Sequence, residues 1–165
     1  MRPWLTDEGS LTARLKARCK VFRVQVLREG MAFPYGNDGG QIGLRAREYA
    51  WLREVLLITD GHPVVFAYSI AAPRDLRGPW RMMSRIGSRP LGAALFADPQ
   101  IVRLPLYIAR VAPATPVHCR AEAALGAILP ALWARRSVFV SKGRLLMVTE
   151  VFLPAMESVG PGQGV

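Results

Sequence analysis

Two charged side chains sit inside otherwise apolar stretches, and these are the residues best suited to chemistry. "WLREVLL" carries Arg53 and "MVTEVFL" carries Glu150. If the second stretch alternates as a β-strand, Glu150 shares a face with Leu146, Val148 and Phe152. A carboxylate among such neighbours must be paired, protonated or in use, because burying it alone is costly. Arg53 alternates with Trp51, Val55 and Leu57, while Glu54 shares the other face with Leu52 and Leu56. Both faces are apolar, so periodicity leaves open which of Arg53 and Glu54 points inward. A cross-strand ion pair or an exposed sheet face is the plainer account of these charges. The chemical account is more specific. An inward Arg offers a planar fork that grips a carboxylate in two places. An inward Glu exchanges a proton with a reacting oxygen or carbon if burial raises its pKa. Together they suit a small acid with a hydroxyl or ether at its far end.

Other candidates are weaker. "GSRPLG" (87–92) opens a helix at Pro90, and "GSLTAR" (9–14) opens another. The free N–H groups of a first helical turn bind anions, but a simple helix start accounts for both stretches. No Ser–His–Asp set can be assembled, since His62 and His118 fall in unrelated segments, read as loop or extended chain. Cys19 and Cys119 stand alone, and no CxxC or HxxxH spacing exists, so neither a disulfide framework nor a metal site is expected.

These residues need elements to hold them. "DEGSLTARLKARCK" (7–20) reads as a helix capped by Ser10 or Asp7, and "FRVQVLRE" (22–29) as a strand. Gly-rich 30–43 is a loop. Residues 47–59 and 64–72 form strands joined by the Asp60-Gly61 turn, and 133–154 a second hairpin turning at Lys142-Gly143. Residues 74–96 break into short helical pieces, 101–111 hold another strand, and 120–129 form a helix ended by Pro130. The sum is an α+β fold: about six antiparallel strands with short helices packed on them. Residues 1–155 are expected to form a single domain and 156–165 a disordered tail.

Bulk properties bound the answer. The chain has 165 residues, 51% of them hydrophobic and 21% charged, which suits one globular domain. No apolar run reaches a membrane span, and Asp7 and Glu8 stand where a secretory signal needs an apolar run. A soluble, cytoplasmic protein without stable membrane insertion is expected. The net charge of +10 favours anionic partners. The basic residues are scattered, however, with no Lys/Arg block or basic helix interleaved with aromatics, so no nucleic-acid partner is expected.

"DEGSLTARL", "REYAWLREVLLITDGHPVVFA", "LRGP", "IGSRPLGAALF", "LWARRSVF" and "LLMVTEVFLP" follow one another as they do in chorismate pyruvate-lyases. The chain resembles that family from about Trp4 to Pro154, and the combination of WLRE, the DG turn, RPLG and TEVFLP is specific. The resemblance implies a monomeric, cofactor-free lyase of ubiquinone biosynthesis. Such an enzyme takes chorismate to 4-hydroxybenzoate and pyruvate in a closed, benzoate-sized site under mobile flaps. It implies that Arg53 holds the ring carboxylate and that Glu150 faces the oxygen para to it. Leu11 and Leu91 would line the site and offer backbone N–H groups. Some relatives have Met at the position of Leu11, which matters little to a backbone contact. Relatives often carry Arg where this chain has Tyr68, so a second anion contact is lost or moved. The segment 111–131 is longer than in some relatives, which bears on the flaps. The rival reading is a non-catalytic module that binds small acids, like the effector domains of bacterial regulators that resemble this fold.

Overall fold

The computed structural model describes residues 1–160. Seven strands form one antiparallel sheet: β1 (Phe22–Ala32), β2 (Ala50–Thr59), β3 (His62–Ala71), β4 (Val102–Arg103), β5 (Tyr107–Val111), β6 (Leu132–Ser141) and β7 (Arg144–Phe152). Their order is β1-β2-β3-β7-β6-β4, and β5 also pairs with the outer edge of β6. The sequence suggested six because the stretch 101–111 holds two short strands.

Both expected hairpins are present, and their turns explain them. Asp60 and Gly61 have φ of 48° and 86°, and Lys142 and Gly143 have 49° and 73°. Positive φ at both central residues matches the right-handed twist of the strands they join. The Asp60 carboxylate also accepts from the backbone N–H groups of Lys20 and Val21, which ties the start of β1 to the turn.

Among the described residues there are five short α-helices, α1 (Arg2–Leu5), α2 (Leu11–Lys16), α3 (Asp38–Gln41), α4 (Leu91–Ala97) and α5 (Pro116–Leu125), and 3₁₀ helices that include Pro73–Arg77 and Arg81–Ser84. α2 is shorter than expected. Ser10 caps it by accepting from the Ala13 N–H, while Asp7 binds Gly9 N–H and pairs with Arg14. α5 begins and ends earlier than expected. Pro116 stands in its first turn, where a missing N–H costs nothing, and Gly126 stops it in the left-handed region at φ 64°. His118 and Cys119 therefore lie on a helix and not on an extended segment, and His62 opens β3. Met156 to Ser158, expected within the tail, belong to a 3₁₀ turn (Pro154–Ser158) that buries Met156. Residues 161–165 of that expected tail lie outside the described residues.

The sheet separates two kinds of core. One face carries Leu52, Leu56, Phe66, Ile70 and Met147 against α5 and the 32–44 segment. On the other face there are two apolar clusters. Trp4, Leu15, Val65 and Phe152 form one beneath α1 and α2, and Trp80, Met83, Leu95 and Leu146 form the other beneath residues 80–95. Leu15, Met83 and Phe152 are almost fully buried, and each contributes about 1.5–3 kcal/mol by leaving water. Between these clusters β3 presents only small side chains, Ala67 and Ser69, and a cavity lies over them.

Candidate active site

The floor of the cavity is two rows running across the sheet. Strand register aligns Arg53, Ser69, Val148 and Ser137 in one row, and Val55, Ala67, Glu150 and Arg135 in the next. All eight line the cavity. Arg53 thus points into it, and Glu54 leaves β2 through the opposite face. The two residues that the sequence singled out, Arg53 and Glu150, share one chamber.

The roof comes from helix starts. Leu11 and Thr12 at the head of α2 and Pro90, Leu91 and Gly92 at the head of α4 close over the floor. Leu11 and Leu91 are 2% and 6% exposed, and both line the chamber. Their N–H groups belong to first helical turns and have no partner within their helices. The two caps meet at Gly92, where a Cβ would lie 3.4 Å from Thr12 Oγ1. The chamber is narrow, with a cavity volume of ≈ 50 Å³. A cavity of about 150 Å³ holds benzene, so the benzoate-sized gap expected from the sequence is not open here.

Arg53 is 2% exposed, and its Nη2 donates to the carbonyls of Gly87 (2.8 Å) and Arg89 (3.2 Å). Its Nε has no hydrogen-bond partner. Burial lowers the Arg53 pKa from its ordinary value, and Glu29, opposite on β1, works the other way. A guanidinium remains charged under such shifts, so Arg53 is a desolvated cation with an unmet donor. Its attraction for a carboxylate is correspondingly strong.

Glu150 is not the lone carboxylate its strand suggested. Arg135, directly opposite on β6, brings Nε to 2.5 Å from its Oε2. Arg135 is 2% exposed, and its Nη1 also donates to the carbonyls of Trp4 (3.0 Å) and Asp7 (2.8 Å). A second unforeseen arginine, Arg103 on β4, reaches over the end of the row. Its Nε and Nη2 donate to Ser137 Oγ, and its Nη1 to the Glu8 carbonyl. Burial lowers its pKa first, and the nearby charge of Arg135 adds to the shift, against Glu150, Glu8 and Asp7.

Tyr68 occupies the position where an anion contact was expected to be lost or moved. Its side chain leaves β3 through the opposite face and donates to Asp38, which also pairs with Arg136. Nothing at that position reaches this chamber. Glu54 lies on the same far side, held by Arg120 at 2.6 and 3.0 Å and by the Tyr35 hydroxyl. Among the described residues, no cluster of three His, Cys, Asp or Glu is placed to hold a metal, and no helix is long and apolar enough to cross a membrane.

The model of the family described as Chorismate lyase matches residues 1–158. The chain belongs to the chorismate lyase family. Membership makes it an enzyme of the lyase class. Two proteins named probable chorismate pyruvate-lyase, from Aromatoleum aromaticum and Azoarcus sp. (strain BH72), are 54% and 55% identical to it. Each alignment covers 94% of this chain and 85% of the relative. The effector domain of PhnF from Mycobacterium smegmatis has the same fold, with a TM-score of 0.58 at 17% identity over 88% of this chain and 89% of that one. The sheet of this chain is therefore shared with that effector domain, and the likeness is one of fold alone.

Proposed function

We propose that this chorismate lyase family member eliminates pyruvate from chorismate and leaves 4-hydroxybenzoate for ubiquinone biosynthesis. The observation that carries the reading is the shared chamber: a buried guanidinium with an unmet donor, Arg53, faces the same closed space as the Glu150 carboxylate.

The reaction breaks the C3–O ether bond and the C4–H bond of the cyclohexadiene. The ring keeps its C4 hydroxyl and becomes aromatic. The departing enolpyruvate gains a proton at its methylene carbon and becomes pyruvate. No electron is transferred to an outside acceptor, and aromatisation supplies the driving force. The protein must orient the substrate and exclude water. Arg53 grips the ring carboxylate, and the N–H groups of Leu11 and Leu91 press on the substrate from above. Glu150, charge-balanced by Arg135, is an acceptor when ionised and takes the hydrogen bond of the C4 hydroxyl. In this reading Glu150 orients C4, and the C4 proton passes within the substrate to the enolpyruvyl methylene.

Incubating the purified protein with chorismate, with pyruvate and 4-hydroxybenzoate followed separately, tests the proposal. Equimolar release of both is expected. A complex that forms without pyruvate assigns the chain a non-catalytic binding role instead.

A further inference from the structure

We propose that Arg103 binds the second carboxylate of the substrate, the one on the enolpyruvyl side chain, at the opposite end of the chamber from Arg53. This inference rests on the chorismate reading above.

The first argument is charge. The chamber is lined by three guanidiniums, Arg53, Arg103 and Arg135, and by a single carboxylate, Glu150. Glu150 is matched by Arg135, which also holds two backbone carbonyls. Among the described residues, no carboxylate lies within ion-pairing distance of Arg53 or Arg103. Two partly desolvated cations therefore lack an anion. A monoanion balances only one of them, and a dianion such as chorismate balances both.

The second argument is position. Arg53 stands at one end of the row Arg53–Ser69–Val148–Ser137, and Arg103 sits on Ser137 at the other end. Three strand spacings separate those ends, about 14 Å between backbones. Two arginine side chains leaning inward leave a span for one small ring and its side chain. Glu150 lies in the adjacent row, beside the middle of that span. The partners Arg103 now has, a hydroxyl and a carbonyl, are neutral and give way to a carboxylate at small cost. Arg103 and Phe96 also line an outer groove with Thr6, Glu8 and Leu106. The carboxylate held there is the one nearest the exit. Once the C3–O bond breaks, pyruvate is on the outer side and departs first, while the ring stays on Arg53.

The test compares Arg103→Gln with the wild type on two ligands. Chorismate carries the second carboxylate, and 4-hydroxybenzoate lacks it. The expected result is a fall of about 30-fold or more in kcat/KM for chorismate, with the Kd for 4-hydroxybenzoate within about threefold of wild type. Arg103→Lys, which keeps the charge, serves if the glutamine variant does not fold. It shows the same split with a smaller loss on chorismate. Equal losses on both ligands assign Arg103 a purely structural role and overturn the proposal, as does an unchanged kcat/KM. A wild-type protein that releases no pyruvate overturns the underlying chorismate reading instead, so the two failures are told apart.

Discussion

Glu150 and Arg135 face each other across the β6–β7 ladder with 2.5 Å between Oε2 and Nε. The pair explains how an apolar strand tolerates a carboxylate at its centre: the charge is met before any ligand arrives. It also shapes what Glu150 can do. One oxygen belongs to Arg135, and the other is free to orient a substrate hydroxyl.

Glu150→Gln retains the shape and an acceptor oxygen. We expect it to keep kcat within about tenfold of wild type, because a residue acting as a general base would cost about 10²–10⁴-fold on the same change. Steady-state pyruvate release from chorismate distinguishes these ranges. A drop of three orders of magnitude would make Glu150 the base.

Arg53→Ala removes the cation that lines the β2 end of the floor. The expected loss in kcat/KM is about 30-fold to several thousand-fold, the range for truncating one member of a buried charged contact. The Kd for 4-hydroxybenzoate rises in parallel, since that ligand has only the ring carboxylate. Arg53→Lys does not restore it, because an ammonium lacks the fork. Calorimetric titration with 4-hydroxybenzoate checks both variants.

Arg135→Met leaves Glu150 without its counter-ion and frees the carbonyls of Trp4 and Asp7. Breaking a buried pair from one side costs about 3–5 kcal/mol. Urea unfolding followed by tryptophan fluorescence should show that loss as a lowered midpoint with an unchanged slope.

Alkaline stability has a specific contributor on the far side of the sheet. Burial, then the hydrogen bond to Glu54 and its charge, push the Tyr35 pKa up to about 12. The unfolded chain releases that proton near pH 10, about the ordinary tyrosine value, and the folded protein keeps it. The stability Tyr35 contributes is therefore whole below pH 10 and is lost as pH rises towards 12. Difference titration at a tyrosinate wavelength should show a late-titrating hydroxyl in the wild type that is missing from Tyr35→Phe. The variant should also show a shallower fall in stability across that window.

With a net charge of +10 and two unmatched cations in the chamber, association with a dianion is assisted by the field of the whole molecule. The expected outcome is a kcat/KM for chorismate that falls steadily as ionic strength rises from about 0.01 to 0.15 M, the range in which the screening length shrinks from about 30 to 8 Å. The kcat at saturation should hardly move. A salt-independent kcat/KM would argue that the charge plays no part in encounter.

The hairpins and the two internal charges were legible because each has a local signature. A two-residue turn with positive φ favours a glycine, which Asp60-Gly61 and Lys142-Gly143 both supply, and a charge inside an apolar run is conspicuous. Which way Arg53 points was not legible, since Glu54 finds an equally buried place on the other face beside Arg120. Arg135 and Arg103 were missed for a different reason. "ARRS" places adjacent arginines on opposite faces, Arg135 to Glu150 and Arg136 to Asp38, and only the long-range register of β6 against β7 separates them. Arg103 belongs to a strand of two residues, too short to show any period. The position of Tyr68 was read through the family, and strand parity alone would have put it opposite to Ala67 and Ser69.

The carbonyls of Trp4, Asp7 and Glu8 are all held by arginines that wall the chamber. The first eight residues, which precede every strand, are in effect a strap buckled onto the reaction vessel. Cutting the chain back to Ser10 would tamper with the closure itself.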